Sequence, residues 1–60
     1  MRSRELERLL LEEGWYSKNQ KGSHRQYKHP TKPGKVTIPF HHGDVVIGTA
    51  ASILKQAGLG

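Results

Sequence analysis

Histidines and basic side chains are the groups in this 60-residue sequence that could carry out chemistry, and they share one stretch. Residues 14–43 contain no acidic residue but hold all four histidines and six cations: His24, His29, His41 and His42, with Lys18, Lys21, Arg25, Lys28, Lys32 and Lys35. Histidine suits proton transfer because its ordinary pKa of about 6.5 leaves both forms available near neutrality. Cations concentrated in this way favour a polyanionic partner over a merely solubilising surface.

The chemistry open to such a set is the cleavage of RNA without a metal ion. In that reaction the 2′-hydroxyl of the RNA attacks the neighbouring phosphate. It needs a base for the hydroxyl proton, cations near the phosphorane and an acid for the leaving oxygen. Lys21, Arg25 and Lys28 are close to His24 in sequence and could supply the cations, whereas Lys28 or His29 could be the acid, or water could serve.

A metal or other cofactor is not expected. The chain has no cysteine, and its carboxylates do not cluster with its histidines, so a zinc site is improbable. His41 and His42 are adjacent, so their side chains should point apart and form a poor chelating pair. Taken alone, a histidine in a small basic domain is usually an ordinary surface side chain, and the residue pattern by itself favours that interpretation for His24.

The size of the chain predicts one domain over residues 1–60 with a thin core and no deep pocket, because so short a chain buries only about 60% of its unfolded surface. Any site should therefore lie on an open face or in a shallow groove. The first residues lack the apolar core of a signal peptide, and no apolar run approaches the roughly 18 residues of a membrane span. We expect a cytoplasmic protein without a membrane partner.

Two helices should position this site. Leu6, Leu9 and Leu10 form an apolar stripe at helical spacing, and Ser3 predicts an N-cap for a helix that begins at residue 4. Gly14 predicts its end. The same logic gives a second helix with Thr49 as N-cap, an end at Gly58, and an apolar stripe formed by Ala50, Ile53, Leu54 and Ala57.

Three strands lie between the helices, over residues 15–20, 24–28 and 35–39. The first two are joined by a turn at residues 21–23, and a loop with two prolines and a glycine precedes the third. The predicted fold is α+β, in the order α-β-β-β-α, with a three-stranded antiparallel sheet and both helices on one face. If Val36, Ile38 and Tyr27 face the helices, strand alternation turns His24, Gln26 and Lys28 to the open face.

Several segments of the sequence resemble the HicA family over essentially the whole chain. These are Gly14-Trp15, Lys21-Gly22-Ser23-His24, Tyr27-Lys28-His29-Pro30, Val36-Thr37-Ile38-Pro39, His41, Gly48-Thr49 and residues 53–59. The resemblance implies a double-stranded-RNA-binding-like fold and a toxin of a bacterial toxin–antitoxin pair. Such toxins are messenger-RNA interferases that a HicB antitoxin neutralises.

The resemblance also implies that His24, in Gly-Ser-His, is the catalytic residue. The candidates for RNA binding are cations of the same basic stretch: Lys21, Arg25, Lys28 and Lys35. His29 is better suited to holding its loop through a hydrogen bond. Trp15 and Tyr27 are better suited to the core than to stacking on bases. We expect a metal-independent endoribonuclease that is monomeric when free and has messenger RNA and a HicB-like antitoxin as partners.

Two alternatives share parts of this pattern. A non-catalytic double-stranded-RNA-binding module has the same element order, but such modules usually begin their last helix with a run of lysines. Here the corresponding segment is Thr49-Ala50-Ala51-Ser52, and only Lys55 follows it. A DNA-binding regulator has less support, because neither helix has an Arg-rich polar face suited to the major groove.

Overall fold

The computed structural model describes residues 1–40 and 44–59 and confirms the predicted order of elements. Helix α1 (Ser3–Glu12) is followed by strands β1 (Tyr16–Lys21), β2 (His24–Lys28) and β3 (Val36–Pro39), and then by helix α2 (Ile47–Gln56). Both helices pack against the same face of the sheet and against each other. No helix among the described residues is both long and apolar enough to cross a bilayer.

The three strands form an antiparallel sheet in the order β1-β2-β3, so β2 is central and the other two strands are its edges. Lys21 pairs with His24 across the β1–β2 hairpin, and His24 pairs with Pro39 on β3. Gly22 allows this two-residue turn because its φ of 61° lies in the left-handed region, which suits a type II′ hairpin. The ladder therefore brings both edge strands alongside His24.

The core lies between the sheet and the helices. Tyr27, Val36 and Ile38 are buried, as strand alternation predicted, and they meet Leu6 and Leu10 of α1. The α2 stripe adds three residues: Ala50, Ile53 and Ala57. Each large apolar side chain that is fully buried contributes about 1.5–3 kcal/mol, so these few residues hold most of the fold together.

The start of α1 differs from its prediction. The helix begins at Ser3, and Arg2 is its N-cap, with the Arg2 backbone N–H donating to Glu5 Oε1 at 2.9 Å. The Ser3 hydroxyl instead donates to the carbonyl of Pro39 at 2.5 Å. The prediction of Ser3 as the cap is therefore wrong, because this buried hydroxyl satisfies a carbonyl at the end of β3.

The start of α2 is also earlier than predicted. The helix begins at Ile47 with Val46 as N-cap, so the predicted cap Thr49 lies inside the first turn. The reason is tertiary: Val45 is buried, and its N–H donates to the Met1 carbonyl at 2.7 Å. Once this bond fixes residue 45, the chain can enter the helix directly.

The predicted helix ends are confirmed. Gly14 and Gly58 both have positive φ, at 96° and 81°. The Trp15 N–H then donates to the Leu10 carbonyl at 3.0 Å, and the Leu59 N–H donates to the Leu54 carbonyl at 2.8 Å. These bonds fold the chain back on the last turn of each helix. Because the Trp15 N–H is bonded to the last turn of α1, β1 begins at Tyr16, one residue later than predicted.

Candidate functional site

His24 is exposed at the first position of the central strand, on the face of the sheet that the helices leave uncovered. Strand alternation around the buried Tyr27 and Ile38 determines this direction. We call this surface the open face, and the register assigns it these side chains: Tyr16, Asn19, Lys21, His24, Gln26, Lys28, Thr37 and Pro39. A polymer in solution can therefore contact the imidazole directly, without having to enter a pocket.

Lys21 is the candidate cation that the structure brings closest to His24. The two residues flank the hairpin turn and are direct cross-strand partners. Side chains in such a pair leave the same face with their Cβ atoms about 5 Å apart. An ammonium group on a flexible stem can therefore approach a phosphate that touches the imidazole.

Lys28 and Lys35 are exposed but lie further from His24. Lys28 is four residues along β2, which corresponds to about 13 Å at the usual rise of a strand. Lys35 immediately precedes β3, whose other end pairs with His24. The structure therefore spreads these two lysines toward the far end of the sheet, where each could contact a different phosphate of one strand.

Arg25 lies on the opposite side of the sheet from His24. It is two residues from Tyr27, so the alternation that turns His24 outward turns Arg25 toward α1. Its guanidinium pairs with Glu7 at 2.6 Å and stacks over the ring of Phe40, 4.3 Å from the centroid. The structure does not bring Arg25 together with the open-face cations, and its part in RNA binding stays a prediction.

Glu7 is a residue that the sequence analysis missed, and it anchors this side of the site. One carboxylate oxygen, Oε2, accepts hydrogen bonds from Arg25 Nη1 at 2.6 Å and from the Tyr27 hydroxyl at 2.5 Å. Burial raises the pKa of Tyr27, as does its bond to the Glu7 carboxylate. Burial also tends to raise the pKa of Glu7, but the bonds from Tyr27 and Arg25 and the arginine charge lower it overall.

This lowered pKa predicts an acid-sensitive contribution to stability. A carboxylate with a lower pKa in the folded state stabilises the fold above its unfolded pKa, near 4.5, and loses that effect as pH falls through the folded value. The free energy of unfolding should therefore fall more steeply below pH 4.5 in the parent than in Glu7→Gln. Urea unfolding between pH 6 and pH 3 measures both, and parallel curves would contradict the assignment.

Phe40 connects this anchor to the residue before His24. Its backbone N–H donates to the Ser23 carbonyl at 2.5 Å, and its ring lies under the Arg25 guanidinium. The residues on either side of His24 are thus both held, Ser23 by this backbone bond and Arg25 by Glu7 from the helical side of the sheet. The strand that carries the imidazole is fixed, whereas the imidazole itself remains exposed.

His29 holds its loop, as predicted, through bonds at both ring nitrogens. Nδ1 accepts from the backbone N–H groups of Thr31 and Lys32, each at 3.1 Å. Nε2 must then carry the proton and donates to the Glu13 carbonyl at 2.9 Å. The ring also meets Trp15 edge to face, with centroids 5.2 Å apart. Neither nitrogen is left for proton transfer.

The contact between His29 and the end of α1 predicts a large effect at Gly14. A Cβ there would lie 2.9 Å from His29 Nε2, on a backbone whose φ is 96°. We expect Gly14→Ala to cost about 2–3 kcal/mol of unfolding free energy. Gly22→Ala is the control, because it has a positive φ but open space around it, and it should cost only about 1 kcal/mol. Equal losses in urea unfolding would contradict the role given to His29.

His41 and His42, which the sequence analysis considered as a pair, lie outside the described residues. Within residues 1–40 and 44–59, no group of three or more His, Cys, Asp or Glu side chains could hold a metal ion. The described site consists of the exposed His24, its neighbouring Lys21 and the basic surface around them.

Comparison with models of known protein families identifies a match over most of the chain. A family model described as the HicA toxin of bacterial toxin–antitoxin systems matches residues 3–59 of the chain. No curated protein sequence matches the chain. The matched range includes both helices, all three strands and every candidate residue discussed above.

Proposed function

The chain belongs to the HicA toxin family of bacterial toxin–antitoxin systems, and on that premise we propose that it is an endoribonuclease that cuts messenger RNA with His24. The observation that carries the proposal is the placement of His24. The imidazole is exposed on the open face, its cross-strand neighbour is Lys21, and the strands beneath it contain no acidic residue. RNA can therefore approach the histidine without electrostatic repulsion from the sheet.

His24 acts as the general base in this mechanism. A neutral ring nitrogen takes the proton of the 2′-hydroxyl, and the oxygen attacks the adjacent phosphorus. The bond from phosphorus to the 5′-oxygen then breaks, which leaves a 2′,3′-cyclic phosphate on one fragment. The departing 5′-oxygen takes up a proton from water and becomes a hydroxyl. The hydroxide that remains takes the proton from the protonated His24, so atoms and charges balance.

Lys21 offsets the charge that develops on the phosphorane in this mechanism. A cation placed where charge appears stabilises the transition state more than the ground state. Its cross-strand position allows it to contact a non-bridging oxygen while His24 contacts the 2′-hydroxyl. Lys28 and Lys35 bind phosphates further along the RNA strand and hold it in register.

The proton for the leaving oxygen comes from water in this proposal. The sequence left Lys28 and His29 open for this role. Both ring nitrogens of His29 are engaged with the backbone, and Lys28 is about 13 Å from His24 along the strand. Neither geometry supports direct transfer at the phosphate that His24 contacts.

The antitoxin partner that the family implies has a physical role here. An exposed base on a basic face cannot be shielded by this domain itself, so its activity has to be masked by another protein. We propose that a HicB-like antitoxin presents acidic or apolar groups against Lys21 and His24. We further propose that the free toxin is a monomer that acts in the bacterial cytoplasm, where messenger RNA is translated.

Incubation with an end-labelled single-stranded RNA in the presence of a chelator tests the proposed activity. We expect an RNA-cleaving activity that co-elutes with the protein during purification and persists when the chelator removes divalent metal ions. Cutting that the chelator abolishes would contradict the mechanism. A folded protein that binds RNA without cutting it would instead support the non-catalytic binding module.

A further inference from the structure

A groove of about 520 Å³ lies between β3 and α2, at the edge of the sheet beyond the open face. Its polar lining comes from both elements: Lys35, Thr37, Thr49, Ser52 and Gln56. The mechanism above uses none of the four uncharged side chains.

The chemistry of the lining suits the backbone of a nucleic acid. Three hydroxyls, one amide and one ammonium group are donors of the kinds that contact phosphate and ribose oxygens. Gln56 donates one amide N–H to the Ser52 hydroxyl at 3.3 Å, which orients the amide and leaves it a second donor. Among the described lining residues none is acidic. Nothing in the lining therefore repels an anion.

A peptide is the less suitable occupant. Peptides that dock in grooves rely on pockets for apolar anchors. Ile53 is the large apolar side chain among the described lining residues, and it is already buried in the core, so the groove offers a peptide no apolar side-chain anchor of that kind. The hydrogen-bond donors of the lining favour a polar, anionic ligand.

The groove is continuous with the open face. Thr37 lines the groove and is also the cross-strand partner of Gln26, so it shares a face with His24. Lys35 is four residues from Pro39, the residue paired with His24, which gives a separation of about 13 Å along β3. At a rise of about 3.4 Å per nucleotide in a stacked strand, this distance spans about four nucleotides.

We propose that this groove is a second RNA-binding subsite, which holds the ribose–phosphate backbone of the same strand about four nucleotides from the bond that is cut. The inference rests on the proposed function and extends it. One strand lies across Lys21 and His24, follows β3 and enters the groove at Lys35. RNA too short to span this distance binds at His24 alone.

Two serine-to-glutamate substitutions distinguish RNA binding in the groove from RNA binding through the overall positive charge of the protein. Ser52→Glu places a carboxylate in the groove, at an exposed helical position that tolerates glutamate. Ser17→Glu is the matched control, because Ser17 is also an exposed serine but lies on β1, at the other edge of the sheet. Both variants change the net charge equally.

The probes are 2′-O-methyl RNA oligonucleotides of three and twelve nucleotides, which cannot be cut through a 2′-hydroxyl. We expect Ser52→Glu to bind the twelve-nucleotide probe about tenfold more weakly than Ser17→Glu, and the three-nucleotide probe equally well. Lys35→Ala should lower the salt dependence of binding the longer probe by about one ion. Fluorescence anisotropy measures all three quantities.

Equal affinity of the two glutamate variants for the longer probe would overturn the subsite, as would an equal loss at both lengths. The comparison does not depend on catalysis, because the probes are never cut. Failure of the proposed nuclease would be seen separately, as an inability of the parent protein to cut unmodified RNA. The two inferences can therefore fail independently.

Discussion

His24→Ala is expected to slow RNA cleavage by about a hundredfold to ten-thousandfold, which is the usual contribution of a positioned acid or base. The alanine removes the group that takes the 2′-hydroxyl proton, while Lys21 and the other cations remain to bind the phosphates. RNA affinity should therefore change little, and the loss should appear in kcat rather than in KM. Single-turnover cleavage of a labelled RNA, together with a binding isotherm, separates the two.

The control for this variant is Gln26→Ala, two residues further along the same face of β2. Neither His24 nor Gln26 belongs to the hydrophobic core. Both variants should therefore have the same midpoint of urea unfolding as the parent protein. Cleavage by Gln26→Ala should stay within a few-fold of the parent. If His24→Ala folds, binds RNA and cuts at the parent's rate, the catalytic base is another residue.

Trp15→Ala is expected to have the largest effect on stability, with a loss of about 3–5 kcal/mol. The indole is 2% exposed, and its Nε1 donates to the Ala57 carbonyl at the end of α2, at 3.2 Å. It also packs against His29. A domain of 60 residues has only about 3–9 kcal/mol to lose, so much of this variant should be unfolded at 25 °C.

Far-UV circular dichroism during urea titration measures this loss, since the variant lacks the usual fluorophore. Trp15→Phe is the matched variant: it keeps an aromatic ring in the core and loses the indole hydrogen bond. It should cost about 1–2 kcal/mol, because Lys32 Nζ still donates to the same carbonyl at 3.2 Å. Similar midpoints for the alanine variant and the parent would contradict the place given to Trp15 in the core.

Strand directions and helix ends could be predicted from the sequence because both depend on local chemistry. The alternation of Val36 and Ile38 with polar residues follows from the pleat of a strand, and the structure confirms their burial. Gly14 and Gly58 end helices because glycine adopts positive φ at little cost. Strand alternation alone was sufficient to predict that His24 faces outward.

Helix starts could not be predicted in the same way because distant residues decide them. Ser3 has the right chemistry for an N-cap, but its hydroxyl bonds to the Pro39 carbonyl, 36 residues away. Thr49 also has the right chemistry, yet the bond from Val45 to Met1 lets the helix begin before it. The local preference of a residue for the N-cap position is thus outweighed by tertiary hydrogen bonds.

In the candidate site, too, local chemistry decides some features and contacts with distant residues decide others. Alternation of side chains placed His24 on the open face, and the same rule, applied to Arg25, would have placed that arginine toward α1 with Tyr27. The carboxylate that receives them, Glu7, is on another element. The α1 sequence contains several glutamates, and the pairing of Glu7 with Arg25 and Tyr27 is seen only once the helix packs on the sheet. The role of Glu7 could therefore not be predicted from the sequence.

Analysis of the ends of the RNA fragments tests the central claim most directly. With chelator present, the parent protein should produce fragments that end in a 2′,3′-cyclic phosphate and begin with a 5′-hydroxyl, because the 2′-oxygen is the nucleophile. An RNA with a single 2′-deoxy substitution at the cut position should resist cleavage there. Fragments with 3′-hydroxyl and 5′-phosphate ends, or cutting at the deoxy position, would contradict the mechanism that places His24 beside the 2′-hydroxyl.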